Sequence, residues 1–170
     1  MAKRTYSFQL ALSSETIAQY FELRSQVFCE EQQLFDTTDR DATDQRAYPI
    51  VAIAHEENKP DQIVGAVRIY EQSPRVWYGG RLGVHPDFRR VGRIGKGLIQ
   101  KAVTTANTWG CDRFLATVQV QNVRFFTRLH WESLEEIEIL ERPHHLMRAD
   151  LGHYPPTDQP RPALPLLQVA

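Results

Sequence analysis

Apolar and polar positions change period repeatedly along the chain. Thr5–Leu12 alternates, which predicts a first strand. Ser13 or Ser14 can cap a helix after it, with Glu15 in the first turn. Ile17, Tyr20, Phe21, Val27 and Phe28 then fall on one helical face. Arg24 interrupts that face, so it either meets an acid or reaches for a carboxylate of a bound molecule. The polar, acidic stretch Asp36–Arg46 reads as a loop. Ile50–Ala54 is a continuous apolar strand, Lys59-Pro60-Asp61 a turn, and Ile63–Tyr70 the partner strand of a hairpin. Arg75–Val84 is a further strand, whose alternation predicts Val76, Tyr78, Gly80, Leu82 and Val84 on one face. Leu98, Ile99, Ala102, Val103 and Ala106 trace a helical stripe that Gly110 ends. Phe114–Val120 reads as a strand, Asn122–Leu129 as a short helix, and Leu134–Leu140 with His144–Leu151 as a closing antiparallel pair. The order β-α-β-β-β-α-β-α-β-β predicts an α/β (α+β) fold, with a mixed, largely antiparallel sheet and helices on both faces.

Composition narrows the picture. A chain of 170 residues fits one domain, here residues 1–153, followed by a Pro-rich tail over 154–170. The apolar end of that tail, Leu164 to Ala170, can dock on the body or on a second subunit, which leaves a homodimer open. A net charge of −1 gives no reason to expect nucleic acid. No apolar run approaches the roughly 20 residues of a membrane helix, and no signal-peptide block follows the first residues. With only Cys29 and Cys111, in unrelated contexts, the expected setting is cytoplasmic, with both thiols reduced.

The segment Leu82-Gly83-Val84-His85-Pro86-Asp87-Phe88-Arg89-Arg90-Val91-Gly92-Arg93-Ile94-Gly95-Lys96-Gly97 carries the clearest chemistry. A strand ends, Pro86 breaks it, and arginines interleaved with glycines lead into a helix. Glycines let backbone approach a ligand, and free N–H groups at a helix start favour an anion. Arginines there oppose the helix dipole unless an anion justifies them. The pattern predicts a pyrophosphate cradle. It is no Walker loop, since Gly95-Lys96-Gly97 lacks the hydroxyl residue, and no dinucleotide fingerprint, since the turn follows the fourth strand.

Val84-His85-Pro86-Asp87-Phe88-Arg89 and the glycines after it resemble the acetyl-CoA signature of the GNAT family of N-acetyltransferases, with a phosphate loop one residue longer than usual. Gln119–Trp131 resembles the family's second cofactor segment, with His130-Trp131 in place of Gly-Phe. The resemblance implies a sheet of about seven strands, splayed between the fourth and fifth, and acetyl-CoA as co-substrate. It implies cofactor contacts from Leu82, Gly83, Val84, Arg89, Arg90, Val91, Gly92, Arg93, Ile94, Gly95, Lys96, Gly97, Asn122, Phe125 and Phe126. Leu23-Arg24-Ser25-Gln26-Val27-Phe28-Cys29-Glu30-Glu31-Gln32, with Asp41 and Asp44, and Pro143-His144-His145-Leu146-Met147 are similar to a narrower branch, the group named for nitrogen starvation in cyanobacteria and actinobacteria. That likeness implies an acceptor pocket framed by Arg24, Phe28 and Glu31.

In the family, the thioester carbonyl meets a main-chain N–H of the fourth strand, here about Leu82 to Val84, and the amine attacks directly. The amine must be neutral, so a base is needed. Many members carry Glu where this chain has Gly80, and Tyr where it has Phe126. The remaining candidates are Glu31, Asp44, Tyr78 and His144; the two acids can equally neutralise a cationic substrate. His144 and His145 face opposite ways on a strand, so no metal is expected. The expected activity is acetyl transfer to an amine of a small molecule. The alternatives are an acyltransferase resembling the acyl-homoserine-lactone synthases, and a catalytically silent CoA-binding module.

Overall fold

The computed structural model describes residues 3–90 and 92–168. β1 (Arg4–Leu10) leads into α1 (Ser14–Arg24), capped by the Ser13 hydroxyl accepting from the Thr16 N–H. The helix widens into a π-helical segment over Ser25–Glu31. After a loop, the 3₁₀ turn Ala42–Arg46 opens β2 (Ala47–Glu56), then come β3 (Gln62–Ser73) and β4 (Val76–Val84). α2 (Arg93–Thr108), β5 (Arg113–Gln119), α3 (Val123–Arg128), β6 (Trp131–Ile139), β7 (Arg142–Ala149) and the short α4 (Pro165–Gln168) complete the chain. The element order agrees with the period changes in the sequence. Strand ends move outward where pairing continues: β2 begins at Ala47 because Ala47 and Tyr48 still pair with Tyr70 and Ile69.

The seven strands run in the order β1-β2-β3-β4-β5-β7-β6, and β4 with β5 is the parallel pair. Only Val76, Trp77 and Tyr78 of β4 pair with β5, opposite Arg113, Phe114 and Leu115. From there β5 continues against β7 as far as Gln119 and His144, while β4 continues against β3 alone. The sheet therefore opens into a wedge.

The cause lies in β4. Its pairing with β3 skips between Ala66↔Gly83 and Arg68↔Gly80, so Arg81 and Leu82 face the single residue Val67. This is a β-bulge, with Arg81 in the left-handed region at φ 52°. The extra residue also corrects the expected alternation. Tyr78 stacks on Tyr70, and a side chain at Gly80 would point at Arg68, whereas Leu82 and Val84 pack on the opposite face against the α2 core. Gly83 instead faces Val27 and Phe28.

Two cores follow from the two faces. One joins the sheet to α2 through Ile50, Ile69, Trp77, Ile94, Leu98 and Val103. The other joins it to α1 through Ile17, Tyr20, Phe21, Val27 and Phe28, the residues of the predicted helical face. The Pro-rich tail lies on the body. Tyr48 donates to the Pro162 carbonyl at 2.8 Å, Trp109 to that of Gln159 at 2.9 Å, and the Arg161 guanidinium sits 4.9 Å from the Trp77 ring centre. Leu164 packs on the first core and Leu166 on the second, so the tail bridges them, with α4 against the Ala42–Arg46 turn.

Candidate active site

A cavity of about 360 Å³ fills the wedge between β4 and β5. Tyr78, Gly80 and Leu82 form its β4 wall, and Thr117, Gln119 and His144 lie across from them. Phe28, Gln32 and Phe35 cover the α1 side, and Leu140 and Arg142 of the β6–β7 turn stand at the other rim. Past Tyr78, the β4 backbone groups that point toward β5 have no strand to pair with.

At the far end of β4 the chain passes through a turn over Pro86–Phe88 and enters α2. The α2 N-cap is Gly92, which supplies no side-chain cap, and no acidic residue occupies the first turn. The first intrahelical bond runs from the Lys96 N–H to the Gly92 carbonyl. The amides of Arg93, Ile94 and Gly95 are therefore left for another acceptor. A side chain at Gly92 would meet nothing, and one at Gly95 would come no closer than 3.6 Å to the Phe125 ring, so the approach is open. Ile94 is fully buried and offers only its amide. Gly97 is bare for a different reason. An added Cβ would run into the Phe8 ring, so the missing side chain lets α2 pack on β1. Val91 lies outside the described residues. Asn122 begins α3 without a side-chain cap bond and lines the cavity, as does the buried Phe126.

The sequence left two alternatives for Arg24, and the structure selects one. Its five N–H groups go to Asp39 Oδ2 at 2.7 Å, the Asp39 carbonyl at 3.1 Å, Asp44 Oδ1 and Oδ2 at 2.7 and 3.2 Å, and the Tyr20 hydroxyl at 3.0 Å. With its side chain fully buried, it has no donor left for a substrate. Asp44 is likewise not a free base. It binds Arg24 and Arg68, accepts from the Asp41 N–H, and is buried away from the cavity. Burial works to raise its pKa, but the hydrogen bond and charge of Arg24 outweigh it and hold the carboxyl below its ordinary value. Asp41 is held low in the same way, chiefly by Arg68 against burial. For Arg24, burial opposes the charged form, and Tyr20 and Asp44 more than compensate.

Glu31 also lies outside the cavity lining. It accepts both terminal nitrogens of Arg89, whose Nε donates to the Val84 carbonyl at 3.0 Å. Arg89, expected on a phosphate, is here paired with a carboxylate. Tyr78 and His144 do line the cavity. The His144 ring is buried, with Nδ1 2.9 Å from the Arg142 carbonyl, which leaves Nε2 free of that contact. Cys111 is buried, and burial pushes its thiol up to about 11, with Asp112 adding to the effect; that is no poised nucleophile. Arg68, Arg81 and Asp39 escaped the sequence reading. Arg68 interrupts an apolar strand as Arg24 interrupts an apolar helix, and that was the available signal.

The parallel β4–β5 pair, the wedge beyond it and the uncapped helix after it define a class of acyl-CoA transferase folds, and the comparisons agree. The sequence pattern of the acetyltransferase (GNAT) family matches residues 13–131, and the chain belongs to that family. Among solved structures, a Lactobacillus plantarum protein described as an N-acetyltransferase is 20% identical, with a TM-score of 0.73 over 85% of this chain and 97% of that one. Escherichia coli ElaA is 22% identical, with a TM-score of 0.70 over 88% and 100%. FeeM, an N-acyl amino acid synthase from uncultured soil microbes, is 8% identical, with a TM-score of 0.68 over 89% and 94%. At these identities the likeness is one of fold. No curated protein sequence matches the chain. No helix among the described residues is long and apolar enough to cross a membrane.

Proposed function

We propose that the chain is an N-acetyltransferase that moves an acetyl group from acetyl-CoA to the amine of a small molecule, by direct attack within a ternary complex. The observation that carries this reading is the cavity in the β4–β5 wedge, with the free amides of the α2 N-terminus following the far end of β4. The residues fit a CoA thioester: Arg93, Ile94 and Gly95 amides for the pyrophosphate, exposed Arg90 and Lys96 side chains beside them, and Asn122 along the arm. Acetyl-CoA supplies the activated acyl group.

The chain's own part is positioning and proton handling. An unpaired amide of β4 near the bulge at Arg81 and Leu82 is aimed where negative charge develops on the carbonyl oxygen. The amine enters from the α1 side, past Phe28 and Gln32, and meets Tyr78 and His144 on the two walls. His144 Nε2, directly or through water, takes the proton that the amine must lose. Phe126 has no proton to offer the departing thiolate, and among the cavity hydroxyls, Tyr70, Tyr78 and Thr117, we assign that step to Tyr78 on the β4 wall.

Thiol release from acetyl-CoA, measured across a panel of small amines, tests the reading. Stimulation by an amine supports it. Release only with longer acyl-CoA donors would favour the reading that resembles acyl-homoserine-lactone synthases. Tight CoA binding with no amine-dependent release from any donor would leave the silent module.

A further inference from the structure

Arg68 sits on β3 with its side chain on the α1 side, and that side chain is 6% exposed. Nη1 donates to Asp41 Oδ1 at 2.7 Å and Asp44 Oδ1 at 3.1 Å, and Nη2 donates to Asp41 Oδ2 at 3.1 Å. Its Nε has no partner among the described residues. Asp41 thus occupies the end of the guanidinium fork, and the side edge, Nε with the remaining Nη2 hydrogen, is unused. Two parallel N–H groups on one edge match the two oxygens of a carboxylate. Leaving a charged, buried donor unmatched is unfavourable, so the edge is poised for an acceptor group.

What stands next to that edge is Gly80. A Cβ there would lie 3.6 Å from Nε, an ordinary contact, so no side chain of the protein fills the place. Arg68 and Gly80 both line the cavity. The electrostatics agree. Burial, then the neighbouring Arg68 and Arg24, hold the Arg81 guanidinium below its ordinary pKa, and Arg81 also lines the cavity. An anion against Arg68 relieves that crowding of positive charge. Leu82, beside the unpaired β4 amides, is only two positions further along the strand from Gly80, within the reach of one small molecule carrying both an amine and an acid.

We infer that the acceptor bears a carboxylate, as an amino acid does, and that Nε and Nη2 of Arg68 hold it beside Gly80 while its amine faces the β4–β5 wedge. This rests on the acetyltransferase reading for the fate of the amine, though not for the binding of the acid.

The test is a matched panel: common L-amino acids, each against its amide and its decarboxylated amine. Two readouts are used, thiol release with acetyl-CoA and calorimetric binding to the CoA-loaded protein. The carboxylated member should be preferred by about ten- to a hundredfold in both, the range for a hydrogen-bonded charge. Arg68→Lys removes the fork but also disturbs Asp41 and Asp44, so Gly80→Asp carries the test. Gly80 does not occupy the left-handed region, a Cβ fits there, and a new carboxylate would reach Arg68 and take the place of the ligand's own. In Gly80→Asp the preference should fall toward one. Equal use of amides and amino acids by the wild type, a preference that survives Gly80→Asp, or binding of no amino acid in the panel overturns the inference. If carboxylated members bind, Gly80→Asp removes that binding, and no amine stimulates release, the carboxylate site stands and the acetyltransferase reading fails.

Discussion

Glu31 and Arg89 form a two-pronged ion pair that ties the segment after α1 to the loop leading into α2. One end follows α1, the other lies in the expected phosphate cradle. A bound phosphate has to compete with Glu31 for this guanidinium. Both partners are more than a third exposed, so the contest involves only about 0.2–1 kcal/mol.

Glu31→Gln should therefore tighten CoA binding about two- to fivefold at low salt, and the gain should vanish in the Arg89→Ala background. Calorimetric titration of the four variants checks this. An unchanged affinity in Glu31→Gln would show that phosphate and Arg89 do not meet.

The network of Arg24, Arg68, Asp39, Asp41 and Asp44 makes stability depend on acid. Asp41 and Asp44 have folded-state pKa values below their ordinary 3.8, so they stabilise the protein fully above that value and progressively less as pH falls toward the folded-state pKa. Thermal melts should be flat in this respect near neutrality and drop steeply below about pH 4. Asp44→Asn should cost about 3–5 kcal/mol at pH 7, because it leaves two buried guanidinium groups short of a partner, and it should flatten the acid slope. A full acid slope in Asp44→Asn would assign the effect elsewhere.

Gly97 and Gly92 should behave as opposites. Gly97→Ala drives a methyl into the Phe8 ring and should destabilise by about 1–3 kcal/mol, with Phe8→Leu relieving part of the loss. Gly92→Ala meets open space and should leave the stability within about 0.5 kcal/mol of wild type, read by denaturant titration.

Of the four candidate bases, Tyr78 and His144 remain on the cavity. His144→Ala should lower turnover about 10²- to 10⁴-fold with little change in acetyl-CoA affinity. Tyr78→Phe should do the same if its hydroxyl serves the thiolate. Steady-state rates at saturating acetyl-CoA decide; wild-type turnover in both variants would leave the proton to solvent.

Much of the fold was legible because period alone carries it. Ile17, Tyr20, Phe21, Val27 and Phe28 declare a helix face, and Leu98 through Ala106 another, and both are buried as the spacing demands. The glycine–arginine loop was legible as chemistry. What stayed hidden depends on contacts distant in sequence. Asp39 and Asp44 lie in a stretch whose polarity reads as solvated loop, and the arginines of α1, β3 and β4 offset the cost of their burial. The bulge at Arg81 leaves no mark in a strand whose residues alternate normally, yet it reverses which face Leu82 and Val84 present. Arg24 was readable as an anomaly; its resolution needed the partners.

The tail that bridges both cores has a kinetic consequence. The Tyr48–Pro162 bond joins residues 114 positions apart, and α4 rests on the turn that presents Asp44. Loop closure over such a span is slow relative to the local hairpins of β2, β3 and β4. We expect the sheet and α2 to acquire protection first and the Ala42–Arg46 turn last, in pulse-labelling hydrogen exchange during refolding; simultaneous protection would contradict this. The turn whose Asp44 binds Arg68 should thus set last, so a refolding chain is expected to pass through a stage in which the sheet and α2 are built and the guanidinium of Arg68 still lacks its carboxylates.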